Sequence, residues 1–267
     1  MVMVLNEEQV MLKDAAAGFL AEKATVAHLR ELRDSGSESG FDTAVWKEMA
    51  DMGWTGIAIP EAFGGLGYGY TGLGLVLEQA GRHLSLSPLQ STVLVGATLI
   101  SELGSQAQQE QLLPAIAAGQ KIVTLALQEG RHHAPESVAA TATADGGDWL
   151  LDGSKVLVLD AHVADSFLLI ARSAGQPGDT AGLSAFVVDA DSEGLAVERR
   201  SMVDSRNAGA LTLQGVRVPG SSLLGTAGDA WEGLARALDI ANIGIAAELL
   251  GLSCEAFERT VGSLQER

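Results

Sequence analysis

The spacing of apolar residues divides the chain into three segments. Residues 1–120 carry helical periodicity, residues 121–226 alternate with a period of two, and residues 227–267 return to helical spacing. We therefore expect an α+β multidomain protein. It would have an N-terminal all-helical domain, a central antiparallel β-sandwich or barrel-like domain, and a C-terminal helical segment, with boundaries at these residues.

Polar residues predict where the N-terminal helices begin. Asn6, Asp42 or Thr43, and Ser105 each precede a segment with helical spacing. Two further helices are expected over about residues 73–83 and 89–103. Pro114 is expected to end the helix that follows Ser105 or to start a new turn, because proline lacks the N–H that an interior helical position donates.

Seven short strands are expected in the central segment, with turn residues between them. Asp152-Gly153 lies between two apolar runs and predicts a type I′ hairpin, because that turn needs positive φ at both central residues. After residue 227, Asp229 is the expected N-cap of one long amphipathic helix. Such a helix needs a packing surface from another chain, unless the sequence is a piece of a longer protein.

Composition narrows the functional classes. The chain has 267 residues, a formal net charge of −17 and one cysteine, Cys254. This charge argues against nucleic acid and anionic membranes as partners. A lone cysteine allows no internal disulfide, and we find neither a signal peptide nor a membrane span in the sequence. We expect a cytoplasmic, globular protein.

Residues singled out by pattern alone give weak evidence of chemistry. Gly67, Gly69 and Gly72 form a G-x-G-x-x-G, but its helical flanks favour an interhelical loop over a dinucleotide site. His132-His133 has no ligand partners at metal-binding spacing and is expected on an exposed loop. The Arg199-Arg200 pair is expected on a solvated strand face, with an anion-holding role as the alternative.

Four motifs, in the right order and covering nearly the whole chain, resemble the acyl-CoA dehydrogenase family. They are W-K-E-M-A-D-M-G-W-T-G-I-A-I-P-E-A-F-G-G-L-G at residues 46–67, L-P-A-I-A-A-G-Q-K-I-V-T-L-A-L-Q-E at 113–129, W-L-L-D-G-S-K at 149–155, and G-V-R-V-P-G-S-S-L-L-G at 215–225. The resemblance implies a flavoprotein in which residues 227–267 form the first helix of an incomplete C-terminal bundle.

The resemblance also implies the chemistry. The family removes an α-proton and a β-hydride from an acyl-CoA thioester, with FAD as hydride acceptor and electron-transfer flavoprotein as redox partner. It implies an oligomer with the same or related subunits. The implied FAD contacts are Leu127, Gln128, Ser137, Val158, Leu159 and Arg267.

The sequence departs from the family pattern at positions implied to contact the flavin and at a position implied to hold the catalytic base. Gln128 stands where the family pattern has threonine. The serine of the family pattern is absent from its usual position, and Ser137 is the candidate to replace it. Leu159 stands at the threonine position whose hydroxyl approaches the flavin, and leucine has no hydrogen-bonding group. Ala241 stands at one of the family's glutamate positions, and Asp239 fits a capping or interhelix role better than that of a base. Two hypotheses remain: an active dehydrogenase whose carboxylate lies beyond residue 267, or a catalytically silent partner subunit.

Overall fold

A computed structural model describes residues 4–266. The N-terminal segment folds into six α-helices and one π-helix. Their bounds are α1 Glu7–Lys23, α2 Val26–Asp34, α3 Thr43–Asp51, α4 Gly69–His83, the π-helix Leu89–Gly96, α5 Ala97–Leu103 and α6 Gln106–Ala117.

Side-chain caps explain most of the helix starts. Asn6 and Gln9 form a reciprocal capping box on α1, and Ser105 and Gln108 form a second one on α6. Asp42 caps α3, as the sequence predicts. The pattern missed α2, a polar helix of nine residues without a buried side chain.

The prediction that Pro114 ends α6 or starts a new turn is wrong, because the helix continues through it to Ala117. The carbonyl of Pro114 accepts a hydrogen bond from the backbone N–H of Ala118 at 3.0 Å. Only the N–H that proline lacks is lost, so the helix tolerates the residue at this point.

The central segment forms one eight-stranded sheet. The strands are β1 Val123–Ala126, β2 Thr141–Asp145, β3 Asp148–Leu159, β4 Ser166–Arg172, β5 Leu183–Asp189, β6 Leu195–Arg200, β7 Ala208–Pro219 and β8 Leu223–Leu224. Their order in the sheet is β6-β7-β3-β2-β4-β5-β8, and β1 pairs with β4. Most neighbours are antiparallel, as expected, whereas β1 and β2 run parallel to β4.

The hairpin predicted at Asp152-Gly153 is wrong, because β3 runs straight through this dipeptide. The turn lies instead at Gly146 and Gly147, both with positive φ, and it joins β3 to the unpredicted strand β2. Gly153 has a φ of 138° and marks a shift in register against β7. A glycine in a strand pattern therefore marks a bulge here and not a turn.

The C-terminal segment is the single long helix α7, Trp231–Gln265. Asp229 does not cap it: the N-cap position is Ala230, and no side chain caps the helix. The backbones of α4 and α7 are in direct contact at two glycines. A Cβ added to Gly81 would lie 2.0 Å from the carbonyl oxygen of Glu248. A Cβ added to Gly251 would lie 1.7 Å from the carbonyl oxygen of Glu78. Only glycine permits this approach.

Helix α7 is long and apolar enough to cross a membrane by length and composition alone. Its N-terminal half, however, packs into the fold. Leu234 and Ala237 join a core cluster that also contains Leu113 of α6 and Leu168 of β4. The sheet, the N-terminal helices and α7 therefore meet in one place, and a cleft opens there.

Candidate functional site

The cleft lies between the end of β1, the π-helix and the first half of α7, and its volume is about 450 Å³. Most of its wall is apolar: the lining residues are Ser91, Val95, Thr124, Leu125, Leu127, Gln128, Arg131, His133, Leu157, Leu159, Leu238, Ala241, Asn242 and Ile245. An apolar cleft with few polar groups is the usual form of a small-molecule or cofactor site.

The π-helix forms one wall of the cleft and packs closely against the sheet. A Cβ on Gly96 would lie 2.6 Å from the carbonyl oxygen of Val123, so this helix and β1 touch through their backbones. The Val123 N–H donates to Oγ1 of Thr92 at 3.2 Å, outside the regular pairing of the sheet. Wide π turns recur at functional sites, and here the turn presents Ser91 and Val95 to the cleft.

Behind this wall lies a buried carboxyl group. The hydroxyl of Ser91 donates to Oδ2 of Asp160 at 2.5 Å. Burial raises the pKa of Asp160 to about 6, although the Ser91 hydrogen bond and the Arg206 charge oppose the shift. Asp160 itself does not line the cleft, whereas Ser91, which holds it, does.

A strained residue lies on the opposite wall. Leu157 has a φ of 52°, a left-handed conformation that is unusual for leucine, and its side chain is 50% exposed. It lies where β3 shifts register between Lys155 and Val158. This bulge turns a large apolar side chain toward the cleft, and such strain is concentrated at functional sites.

The loop after β1 closes the end of the cleft and is organised by Glu129. This carboxylate accepts hydrogen bonds from the backbone N–H groups of Ala139 at 2.7 Å and Ala140 at 3.0 Å. It also pairs with the buried Nζ of Lys155. Burial lowers the pKa of Lys155 to about 8, and the nearby Glu129 charge opposes that shift.

Comparison with known families identifies this architecture. Residues 6–120 match the acyl-CoA dehydrogenase N-terminal domain, and residues 128–216 match the acyl-CoA dehydrogenase middle domain. The chain belongs to the acyl-CoA dehydrogenase family. The predicted three-part α+β fold is confirmed, and the function is of the acyl-CoA dehydrogenase type.

Individual relatives agree along nearly the whole chain. An acyl-CoA dehydrogenase of Bacillus subtilis (strain 168) is 29% identical over 275 residues, which span 99% of this chain and 70% of the relative. A variant of the steroid ACAD Tcur3481-Tcur3483 is 35% identical with a TM-score of 0.85, covering 98% of this chain and 67% of that one. The ChsE4-ChsE5 complex from Mycobacterium tuberculosis is 25% identical with a TM-score of 0.87, covering 100% and 69%.

The structure separates the residues that the family resemblance assigned to flavin. Leu127, Gln128 and Leu159 line the cleft. Ser137 lies in an adjoining cavity of about 320 Å³, which shares Leu127 and Gln128 with the cleft. Val158 is 1% exposed and packs into the core of the sheet, so only its backbone lies near the cleft. Arg267 lies outside the described residues.

Gln128, at the family's threonine position, has its amide engaged within the loop. Its Nε2 donates to the carbonyl oxygen of Gly130 at 2.8 Å and to that of His132. The backbone carbonyl of Gln128 accepts a hydrogen bond from the Val156 N–H at 2.7 Å. The side chain therefore holds the loop in shape, and its two donors are already used.

No carboxylate lines the cleft of this acyl-CoA dehydrogenase homologue within residues 4–266. Ala241 lies on the cleft wall, at the position where the sequence comparison expected a glutamate in part of the family, whereas Asp239 is not part of the wall. The wall can exclude water and hold an acyl chain, but it offers no carboxylate to take the α-proton.

Sequence reasoning missed four polar groups of the cleft: Ser91, Thr124, Arg131 and Asn242. The prediction that His133 lies on an exposed loop is correct, but the residue also borders the cleft with Arg131, which was not predicted. The available signal was the departure from the family pattern after Glu129, where the family's serine is lost and Ser137 is the candidate to replace it. Across the described residues, no group of three or more His, Cys, Asp or Glu side chains forms a metal site.

Proposed function

We propose that this chain is a cytoplasmic subunit of an acyl-CoA dehydrogenase-type flavoprotein, in which its cleft shapes the site but does not supply the base. The observation that carries the proposal is an apolar cleft whose wall within residues 4–266 contains no carboxylate. The α-proton of a thioester needs a positioned base, so the carboxylate would come from outside these residues.

The cleft fits the ring system of FAD by size and lining. A planar aromatic ring packs well against leucine side chains, and Leu127, Leu157, Leu159 and Leu238 supply them. The two positions where the family pattern has threonine offer no free donor to the ring, because Leu159 has no polar group and the Gln128 donors are used within the loop. This supports FAD binding that is weaker than a fully hydrogen-bonded site would give.

The chain's own residues would then position the ligands and exclude water from them. A bound flavin supplies the hydride acceptor for the β-carbon. Leu238 and Ile245 of α7 would exclude water from an acyl chain lying between α7 and the sheet. Arg131 places positive charge at the loop end, beside His133, where an anionic part of the cofactor or thioester would lie. Fatty acyl and steroid side-chain thioesters are the proposed substrate class.

Two arrangements satisfy this proposal. In the first, the chain is a silent subunit that completes the site of an active homologue, and electron-transfer flavoprotein reoxidises the assembled enzyme. The ChsE4-ChsE5 relative, described as a complex, supports a heteromeric arrangement. In the second, the chain works with copies of itself and a carboxylate from beyond residue 267. The first is favoured because the departures at Gln128 and Leu159 lie inside the cleft.

Purification of the chain alone, and together with a co-expressed family homologue that carries the glutamate, tests the proposal. We expect substoichiometric flavin in the chain alone and no bleaching of its visible absorbance by acyl-CoA. The pair should contain bound flavin and bleach. Leu238→Trp would fill the cleft and reduce flavin content in the pair, whereas Val4→Trp, at a side chain 81% exposed, should have no effect.

A yellow, stoichiometric flavoprotein that bleaches with acyl-CoA when residues 1–267 are purified alone would contradict the proposal. Equal flavin content in the Leu238→Trp and Val4→Trp pairs would show that the cleft is not the flavin site.

A further inference from the structure

Glu248 is an unusual residue for its place on α7. The other buried positions of the described helix are small or apolar: Gly233, Leu234, Ala237, Ala241, Gly244 and Gly251. The Glu248 side chain is 8% exposed, so its carboxylate has lost most of its contact with water. A buried carboxylate is costly unless polar or charged partners replace that water, so its partners indicate its role.

Three side chains from three different elements form a closed ring of polar contacts. Oε1 of Glu248 pairs with Nη2 of Arg206, and Oε2 of Glu248 accepts a hydrogen bond from Nε2 of Gln90. Nη1 of Arg206 donates in turn to Oε1 of Gln90 at 3.2 Å. Arg206 lies in the β6–β7 connection, Gln90 in the π-helix and Glu248 in α7. These three residues form the Arg206 clamp.

The Arg206 clamp lies beside the two helical walls of the cleft. Gln90 directly precedes Ser91, a residue of the π-helix wall. On α7, the wall residues Ala241 and Ile245 share one helix face with Glu248, because the three follow the spacing i, i+4, i+7. The clamp therefore joins the two helices between which the cleft opens.

Apolar atoms bring the same two helices into contact close to the clamp. A Cβ on Gly244 of α7 would lie 2.4 Å from Cδ2 of Leu94 in the π-helix. Apolar packing of this kind is non-directional, whereas hydrogen bonds and ion pairs require a defined geometry. The clamp therefore supplies the directional part of the contact between the two walls.

The residue after Arg206 fixes the same part of the π-helix. The backbone carbonyl of Asn207 accepts a hydrogen bond from the Asp160 N–H at 3.1 Å. Asp160 in turn accepts a hydrogen bond from the hydroxyl of Ser91 at 2.5 Å. Two adjacent residues of the β6–β7 connection are therefore linked to two adjacent residues of the π-helix, directly to Gln90 and through Asp160 to Ser91.

The backbone before Arg206 is strained. Ser205 has a φ of 64°, a left-handed conformation that is uncommon for serine. Its N–H donates to the carbonyl oxygen of Met202 at 3.1 Å, and the Arg206 N–H donates to Oδ1 of Asp204 at 3.1 Å. Such strain persists only where surrounding contacts hold the backbone. This turn therefore presents Arg206 to the clamp in a fixed direction.

We propose that Arg206 is a positioning residue, which holds the π-helix and α7 at the separation that a ligand in the cleft requires. Replacing a buried ion pair by apolar residues often costs no stability, so the pair is weak evidence for a purely stabilising role. Directional contacts instead select one arrangement of the elements that they join. The effect on the ligand rests on the proposed flavin site, whereas the effect on the two walls does not.

Hydrogen–deuterium exchange of the full chain, measured by mass spectrometry, tests the effect on the walls. The decisive variant combines Arg206→Met with Glu248→Gln, because it removes the ion pair without leaving a buried charge unpaired. We expect the amides of residues 89–96 and 238–245 to exchange at least about tenfold faster than in the wild type, and those of α6 to stay within about twofold.

Arg236→Met is the matched control. Arg236 also lies on α7 and pairs with Glu102 of α5 at 2.9 Å, but its side chain is 63% exposed. Exposed ion pairs contribute little, so exchange in both stretches should stay within about twofold of the wild type. An Arg236→Met protein that exchanges as fast as the double variant overturns the proposal.

The single variant Arg206→Met separates positioning from charge compensation, because it leaves Glu248 buried without its charged partner. If the arginine only compensates that charge, exchange is fast in the single variant and returns to the wild-type rate in the double variant. That result overturns the proposal, and so does exchange in α6 that accelerates by the same factor as in the walls.

Titration with FAD, followed by flavin fluorescence, tests the effect on the ligand. The double variant should bind FAD about three- to tenfold more weakly, because the separation of the walls that suits binding is less populated. Arg236→Met should bind FAD as the wild type does. Unchanged affinity in a double variant whose walls exchange faster overturns the positioning role. A wild-type chain that binds no FAD contradicts the proposed flavin site, and the exchange rates then still decide whether the clamp holds the walls.

Discussion

The ammonium group of Lys155, which is fully buried, lies 2.6 Å from Oε1 of Glu129. This pair joins β3 to the loop that closes the cleft, because Glu129 also binds the N–H groups of Ala139 and Ala140. The Nζ of Lys155 donates as well to the carbonyl oxygen of Leu127, a residue of the cleft wall, at 3.3 Å. The glutamate that persists from the family pattern therefore has a structural task here.

Replacing Lys155 by Met should lower the free energy of unfolding by about 3–5 kcal/mol, because it leaves Glu129 largely buried without its charged partner. Urea denaturation followed by circular dichroism measures this change. Lys47→Met, at an exposed lysine, is the matched control and should stay within about 0.5 kcal/mol of the wild type. A loss below about 1 kcal/mol in Lys155→Met would mean that the pair does not hold the loop.

Asp160 predicts an unusual pH dependence of stability. Its folded pKa of about 6 lies above the ordinary 3.8, so the folded state binds a proton more tightly than the unfolded state does. The contribution to stability is complete below pH 3.8 and is lost as the pH rises through about 6. The loss is on the order of 3 kcal/mol.

Asp160→Asn should remove this pH dependence and stabilise the protein at pH 8. Asparagine keeps an acceptor for the Ser91 hydroxyl, and it tolerates the φ of 53° at this position. Thermal melts between pH 4 and pH 8 follow the difference from the wild type. Asp191→Asn, at an exposed aspartate, should keep the wild-type profile. A constant offset between Asp160→Asn and wild type at every pH would refute the assignment.

Leu159→Thr should raise flavin occupancy, because it introduces a hydroxyl donor into the cleft wall where leucine offers none. One added hydrogen bond corresponds to about a two- to tenfold gain in affinity. Titration with FAD, followed by flavin fluorescence, measures it.

Gln128→Thr is also expected to raise occupancy, with a smaller gain, since it breaks the hydrogen bond to the Gly130 carbonyl. Leu252→Thr, on α7 but outside the cleft wall, should leave the affinity unchanged. An unchanged affinity in Leu159→Thr as well would show that this part of β3 does not approach the flavin.

The sequence predicted the elements whose signals are local. The caps at Asn6, Asp42 and Ser105 depend on neighbouring residues and were correct. Asp152-Gly153 failed because the same dipeptide suits a turn or a bulge, and only pairing with β7 decides between them. The Ser91–Asp160 contact, across 69 positions, leaves no local trace, so the polar wall of the cleft could not be predicted.

The exposed face of α7 predicts association. Ile243, Leu250, Phe257 and Leu264 recur every seven residues and are 54–70% exposed, which forms one apolar stripe along the helix. A stripe this long on an acidic protein needs a helical partner, and in a preparation of this chain alone the partner is a second copy. Light scattering coupled to size exclusion should show an oligomer. Leu250→Glu should shift it toward monomer, whereas Val4→Glu, an equal change at an exposed site before α1, should not. A wild-type protein that is monomeric at every concentration tested would rule out this role for the stripe.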